Sequence, residues 1–161
     1  MTQLTAFILG ATGEIGKELL QSLAVHQSIK NVVAIGRCKL ELDEDKFKNV
    51  QQSIIDFDRI EDYAQSFQGF DVGYCCLGTT KGKSGKEGFY KVDHDYVVEC
   101  ARLAKEGGCK HFNLVSSQGA NKDSWLFYPK TKGQAEADVE KLEFDRLSIY
   151  RPALLLCKRQ V

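Results

Sequence analysis

Seven residues near the start of the chain constrain its fold more than any others. Gly10-Ala11-Thr12-Gly13-Glu14-Ile15-Gly16 follows directly on the apolar run Ala6-Phe7-Ile8-Leu9. That order reads as a strand, a glycine turn and the start of a helix. A strand that feeds a helix N-terminus through a tight turn is where α/β proteins hold the pyrophosphate of a dinucleotide. Each glycine has its own reason. Gly10 lets the strand turn sharply, Gly13 lets a phosphate approach bare backbone, and Gly16 lets the helix pack close to the strand. The spacing is G-x-x-G-x-x-G, one residue wider at the front than the G-x-G-x-x-G fingerprint. A glycine pattern alone is also what a simple capped turn shows. The strand before it, and Ile15, Leu19, Leu20 and Leu23 on one helical face after it, favour the nucleotide.

The rest of the chain repeats the alternation. Apolar runs predict strands over residues 5–10, 31–36, 53–57, 71–77, 111–116 and 146–150. Helical patterns fall between them, over 14–25, 60–67, 89–105 and 128–142, with Val92, Tyr96, Val97, Cys100 and Leu103 inward on the third. The fold expected is a Rossmann-like, doubly wound parallel sheet of about six strands with helices on both faces. At 161 residues it reads as one nucleotide-binding domain over 1–161. The Gly78–Gly88 loop, rich in glycine and lysine, reads as a solvated or mobile connection. Within it, Gly78-Thr79-Thr80-Lys81-Gly82-Lys83-Ser84 imitates a phosphate loop. It has three residues between its glycines where that motif needs four, and no helix is expected at Ser84.

Composition excludes several functions. The formal net charge is zero, so no broad footprint for nucleic acid is present. No apolar run approaches the length of a membrane span, and the N-terminus lacks a basic-then-apolar leader. The six cysteines form no C-x-x-C and read as reduced, packed thiols. His26, His94 and His111 show no metal-ligand spacing, so no metal is expected.

Chemistry enters with Tyr128-Pro129-Lys130-Thr131-Lys132. An i, i+4 spacing puts the Tyr128 phenol and the Lys132 ammonium on one helix face. A nearby cation favours phenolate, so Lys132 can tune Tyr128 to exchange a proton with a carbonyl or an alcohol. The preceding strand ends in Ser116-Ser117, whose hydroxyls can orient the same oxygen.

These residues, with Arg151-Pro152 after the last strand, resemble the short-chain dehydrogenase/reductase superfamily. The stretches DVGYCCLGTTKGKSGKEGF, GGCKHFNLVSSQGA and SIYRPALLLCKRQ are similar to its atypical Tat-interacting protein family, and the similarity covers nearly the whole chain. The resemblance implies NADPH as cofactor and hydride transfer to or from a small carbonyl or alcohol. It also implies protein partners in transcription or nuclear import, links to apoptosis, and a cytoplasmic place that extends to the nucleus or membrane peripheries. A non-catalytic, NADPH-sensing regulatory protein is the other function it allows.

Residue by residue, the resemblance puts Gly10, Thr12, Gly13, Glu14, Ile15 and Gly16 on the pyrophosphate. Arg37 falls at the adenosine 2′-phosphate, where charge favours NADP over NAD. Cys38 stands beside it, where a second basic residue is the pattern. Asp56 falls at the adenine amino group, Leu77 and Gly78 beside the cofactor, and Leu155 at the nicotinamide. Tyr128 and Lys132 are the active pair, with Ser117 or its neighbour Ser116 as the hydroxyl partner. Relatives of this kind continue beyond Gln160-Val161. A chain that stops there is expected to keep the cofactor cleft, lack the segment that closes over substrate, and leave apolar surface on the fifth and sixth strands uncovered.

Overall fold

The computed structural model of the protein describes residues 2–157. The chain end at Gln160-Val161, on which the early-stop reading rests, lies outside them. Six strands form one sheet: β1 (Leu4–Leu9), β2 (Ile29–Gly36), β3 (Val50–Ile54), β4 (Val72–Cys75), β5 (His111–Val115) and β6 (Arg146–Tyr150). Their order is β3-β2-β1-β4-β5-β6, and every neighbouring pair is parallel. The helical elements are α1 (Glu14–Val25), a 3-10 helix (Phe57–Phe67), α2 (Lys81–Tyr90), a π-turn (Lys91–Tyr96), α3 (Val97–Glu106) and α4 (Phe127–Glu140). This is the doubly wound, Rossmann-like fold that the alternating pattern predicts.

Strand alternation divides the core between two faces. Ala6 and Ile8 of β1 point to α1, where they meet Leu20, Leu23, Val32 and Ala34. Phe7 and Leu9 point to the other face, into a larger cluster with Phe67, Cys75, Leu103, Phe112 and Val139. The Phe7 ring sits edge-on to Phe67 at 5.8 Å and to Phe70 at 5.3 Å. The strand order reverses between β1 and β4, which opens a crevice at the carboxyl ends of those strands. On the α1 face, beside β4, β5 and β6, lies a largely apolar cleft of about 700 Å³, with Ile15, Leu19, Tyr74, Val115 and Tyr150 in its wall.

Several elements differ from the expectation. β3 runs Val50–Ile54, not 53–57, because Val50-Gln51-Gln52-Ser53 pairs with β2 despite its polar side chains. The helix expected over 60–67 is a 3-10 helix that begins at Phe57, where Asp56 caps it by accepting the Asp58 N–H at 2.9 Å. The Gly78–Gly88 connection contains α2. Gly85 interrupts that helix with φ +69°, and Lys86 lies 5.8 Å over the Phe127 ring of α4. A helix therefore does follow the imitation phosphate loop, but it starts at Lys81 and draws Lys83 and Ser84 into its body. The helix expected over 89–105 is broken by the π-turn. Within this stretch Asp93 is 2% exposed, and Val92 and Tyr96 are only half-buried.

Candidate functional site

The glycine turn has the shape that the crevice requires. Gly10 takes φ +77°, and a Cβ on it would come within 2.5 Å of the Cys76 carbonyl oxygen at the end of β4. A Cβ on Gly16 would lie 2.0 Å from the Gly10 carbonyl oxygen, so the helix start can fold back on the turn only as glycine. Gly13 is the N-cap of α1, and no side chain caps the helix there. Its first-turn N–H groups are thus left for an anion. Thr12 and Gly13 are exposed, and Glu14 and Ile15 are half-buried.

The other expected residues follow at successive strand ends. Arg37 and Cys38 are exposed just after β2, and Arg37 makes no ion pair among the described residues. Asp56 is exposed after β3 and spends one oxygen on its cap. Leu77, half-buried, and Gly78, exposed, follow β4. Leu155 is half-buried beyond Arg151-Pro152. That segment is anchored twice. Pro152 accepts the Gln118 N–H at 2.9 Å, and Arg151 grips Glu136 of α4 at 3.0 and 2.6 Å.

Ser116 and Ser117 close β5. Both hydroxyl oxygens are buried, and neither has a hydrogen-bond partner. Buried hydroxyls are ordinarily paired, so these two adjacent orphans past the carboxyl end of β5 call for a polar partner. Tyr128 and Lys132 share a face of α4 but differ in setting. Tyr128 is 48% exposed with its ring 5.2 Å from Phe89. Lys132 is buried, its Nζ 3.3 Å from Asp93 Oδ1.

Asp93 is the functional candidate that sequence reasoning missed. At regular helical pitch it lies four residues before Val97 and seven before Cys100, both buried, and that spacing is the signal that could have found it. Two cysteines at the end of β4 are poor thiolates. Burial pushes the Cys75 thiol up to about 11 and the Cys76 thiol up to about 12. The described cysteines are free, and no cluster of metal-ligating side chains occurs among the described residues.

A glycine turn onto an uncapped helix start, at the switch point of a doubly wound parallel sheet, defines a dinucleotide-binding domain. The model of the NAD(P)H-binding family matches residues 10–155. The chain is 53% identical over 160 residues to protein HTATIP2 of Rattus norvegicus, covering 99% of this chain and 66% of that protein. It is 38% identical over 161 residues to the mitochondrial protein FMP52 of Debaryomyces hansenii, covering 98% of this chain and 69% of that one. The chain belongs to the NAD(P)H-binding family, and within it to the Tat-interacting group of atypical short-chain dehydrogenases.

Solved structures with the same fold include the NAD complex of UDP-glucuronic acid 4-epimerase from Bacillus cereus. It has a TM-score of 0.72 and 17% identity, with 93% of this chain and 57% of that one covered. UDP-glucose 4-epimerase from Thermotoga maritima has a TM-score of 0.72 and 14% identity, with 92% and 55% covered. The chain thus spans about two thirds of the curated relatives and just over half of these epimerases. No helix among the described residues is long and apolar enough to cross a membrane.

Proposed function

We propose that the protein binds NADPH across the β1–β4 crevice and passes hydride to or from a small carbonyl or alcohol. The observation that carries the reading is the pair of orphaned hydroxyls on Ser116 and Ser117. They follow the carboxyl end of β5, at the same end of the parallel sheet as the uncapped α1 N-terminus. In this reading the backbone from Thr12 to Ile15 holds the pyrophosphate, and Arg37 takes the adenosine 2′-phosphate. Asp56 and Leu77-Gly78 line the adenine and central parts, and Leu155 lies toward the nicotinamide. Bound there, the nicotinamide supplies or takes up the hydride. Tyr128 passes the proton to or from the substrate oxygen, and Ser117 or Ser116 orients that oxygen. Lys132 holds the ribose and favours the phenolate.

A regulatory role, in which NADPH binding itself is the output, draws support from the Asp93 carboxylate. It offsets the ammonium charge that would otherwise act fully on the phenol. Protein partners in transcription or nuclear import, and effects on apoptosis, belong to this second role. The fungal relatives named as mitochondrial add that compartment to the cytoplasm and nucleus as places to look.

Fluorescence titration with NADPH and NADH tests the binding. Arg37→Ala should weaken NADPH by about tenfold or more and leave NADH nearly unchanged, as loss of a charge-assisted contact requires. Equal losses for both nucleotides would remove the 2′-phosphate role. Tyr128→Phe separates the two functions: it should keep NADPH affinity and abolish turnover of any carbonyl substrate. A Phe variant that retains the cellular effect assigns the protein to regulation.

A further inference from the structure

The connection from β2 to β3, residues 37–49, contains no helix. A helix ordinarily fixes the crossover between parallel strands, and here side chains fix it instead. Leu40, Leu42 and Phe47 pack against the α1-face core. One side chain from β3 holds the backbone. Gln52 accepts the Leu40 N–H on Oε1 at 2.7 Å and donates from Nε2 to the Leu40 carbonyl at 3.0 Å. A primary amide presents the same donor and acceptor as a peptide unit, so this pair copies a rung of a strand ladder. The reversed amide would set donor against donor, which fixes its orientation.

Gln52 stands opposite Ala34 in the β2–β3 register, and the last pair of that register is Gly36 with Ile54. Gly36 also accepts the Ile55 N–H at 2.9 Å. The chain is therefore tied at Gly36 and again at Leu40. Arg37, Cys38 and Lys39 lie between the two ties, and all three are exposed. An arch this short with both ends fixed has few conformations left to lose when a ligand arrives. It carries the guanidinium proposed for the adenosine 2′-phosphate. A polar side chain on an edge strand is free to face water. Gln52 is half-buried instead, with both ends of its amide spent on one residue.

We propose that Gln52 is the positioning residue of the 2′-phosphate site, and so a determinant of NADPH over NADH. Its amide clamps Leu40 and holds the Arg37 arch in the form that meets the phosphate. The proposal rests on the NADPH-binding reading and deepens it. With Leu40 released, the arch samples other conformations. Affinity then falls in proportion to the fraction of molecules whose arch is competent. NADH has no 2′-phosphate and does not call on the arch, so its affinity stays. A purely structural role would weaken both nucleotides together.

The test uses the full chain as wild type, Gln52→Leu, Gln52→Asn, Arg37→Ala and the Gln52→Leu/Arg37→Ala double variant. Thermal unfolding checks that each is folded. NADPH and NADH are titrated by fluorescence, and 2′,5′-ADP and 5′-AMP by calorimetry. Leucine keeps the bulk of Gln52 and removes both bonds. Asparagine keeps the amide on a side chain one methylene too short for both. Each should weaken NADPH and 2′,5′-ADP by about fivefold to tenfold, and leave NADH and 5′-AMP within about twofold. In the Arg37→Ala background, Gln52→Leu should add no further loss for NADPH. Equal losses for NADPH and NADH overturn the proposal and reduce Gln52 to a structural residue. Unchanged NADPH affinity in the folded Gln52 variants overturns it too, as does an undiminished loss in the double variant. A wild-type chain that binds both nucleotides equally, with Arg37→Ala without effect, overturns the 2′-phosphate reading and this proposal together. A chain that prefers NADPH through Arg37 yet ignores Gln52 keeps that reading and defeats the positioning role alone.

Discussion

Asp71 fastens the sheet's amino-terminal edge through a single oxygen. Its Oδ2 accepts the Thr5 N–H at 2.8 Å and the Thr5 hydroxyl at 2.9 Å. These bonds hold its carboxyl below the ordinary 3.8. A carboxylate depressed in the folded state adds stability above its unfolded pKa and loses it as pH falls through the folded value. Thr5→Val keeps the amide bond and removes the hydroxyl. It should cost about 0.5 kcal/mol at neutral pH, the low end for a hydrogen bond because Asp71 is exposed. The part of the cost carried by the carboxylate bond should shrink as pH falls through the lowered Asp71 pKa, while the part carried by the Gly69 carbonyl and the Asp71 N–H, which bond the same hydroxyl, should persist. Urea unfolding at several pH values checks it, and a cost wholly independent of pH would remove the carboxylate bond from the account. The same residue scale shows what a sequence reveals of a site. The placement of Arg37, Tyr128 and Lys132 was legible because position after a strand, or i, i+4 spacing, survives into the fold. Asp93 was not, because an aspartate on the inward face, four residues before Val97, does not read as core until its buried partner Lys132 is known. The orphaned state of Ser116 and Ser117 was equally hidden, since it depends on what neighbouring elements fail to offer.

At the element scale, long amphipathic segments were legible and short or polar ones were not. α1 and β6 fall where periodicity puts them. β3 was displaced because it is an edge strand whose pairing with β2 is made by backbone, so its side chains need not alternate. α2 was invisible because Gly82, Gly85 and Gly88 dilute any apolar stripe. Its docking comes from aromatic contacts around Phe89 and Phe127 at 5.8 Å. Two glycine substitutions separate an obligatory position from a permissive one. A methyl group on Gly82 would meet nothing within 4 Å, and the residue keeps an ordinary φ. Gly82→Ala should therefore stabilise the protein by about 0.5–1 kcal/mol through helix propensity. Gly16→Ala forces its methyl against the Gly10 carbonyl and should destabilise by about 1–3 kcal/mol. Chemical denaturation of both variants measures the contrast. A stabilising Gly16→Ala would mean that the turn relaxes freely and is not built for close approach.

For the whole molecule, the proposed nucleotide contacts come from the ends of five strands and from α4. Occupation of the crevice would therefore brace most of the sheet at once. Any ligand that binds only the folded state adds RT ln(1 + [L]/Kd) to its stability, about 2.7 kcal/mol at one hundred times Kd. For a domain of this size each kcal/mol moves the Tm by about 2–4 °C. NADPH at that excess should raise the Tm by about 5–11 °C. The pattern across variants locates the effect. Gly16→Ala should lose the shift with both nucleotides, because the pyrophosphate turn is displaced. Arg37→Ala should lose most of the NADPH shift and keep that of NADH, each at a fixed concentration. The apolar cleft on the α1 face, which shares Ile15 with the proposed pyrophosphate turn, offers the competing location, and Tyr150→Ser alters its wall on the β6 side. A nucleotide shift that survives Gly16→Ala and disappears in Tyr150→Ser would move the binding site from the crevice to that cleft.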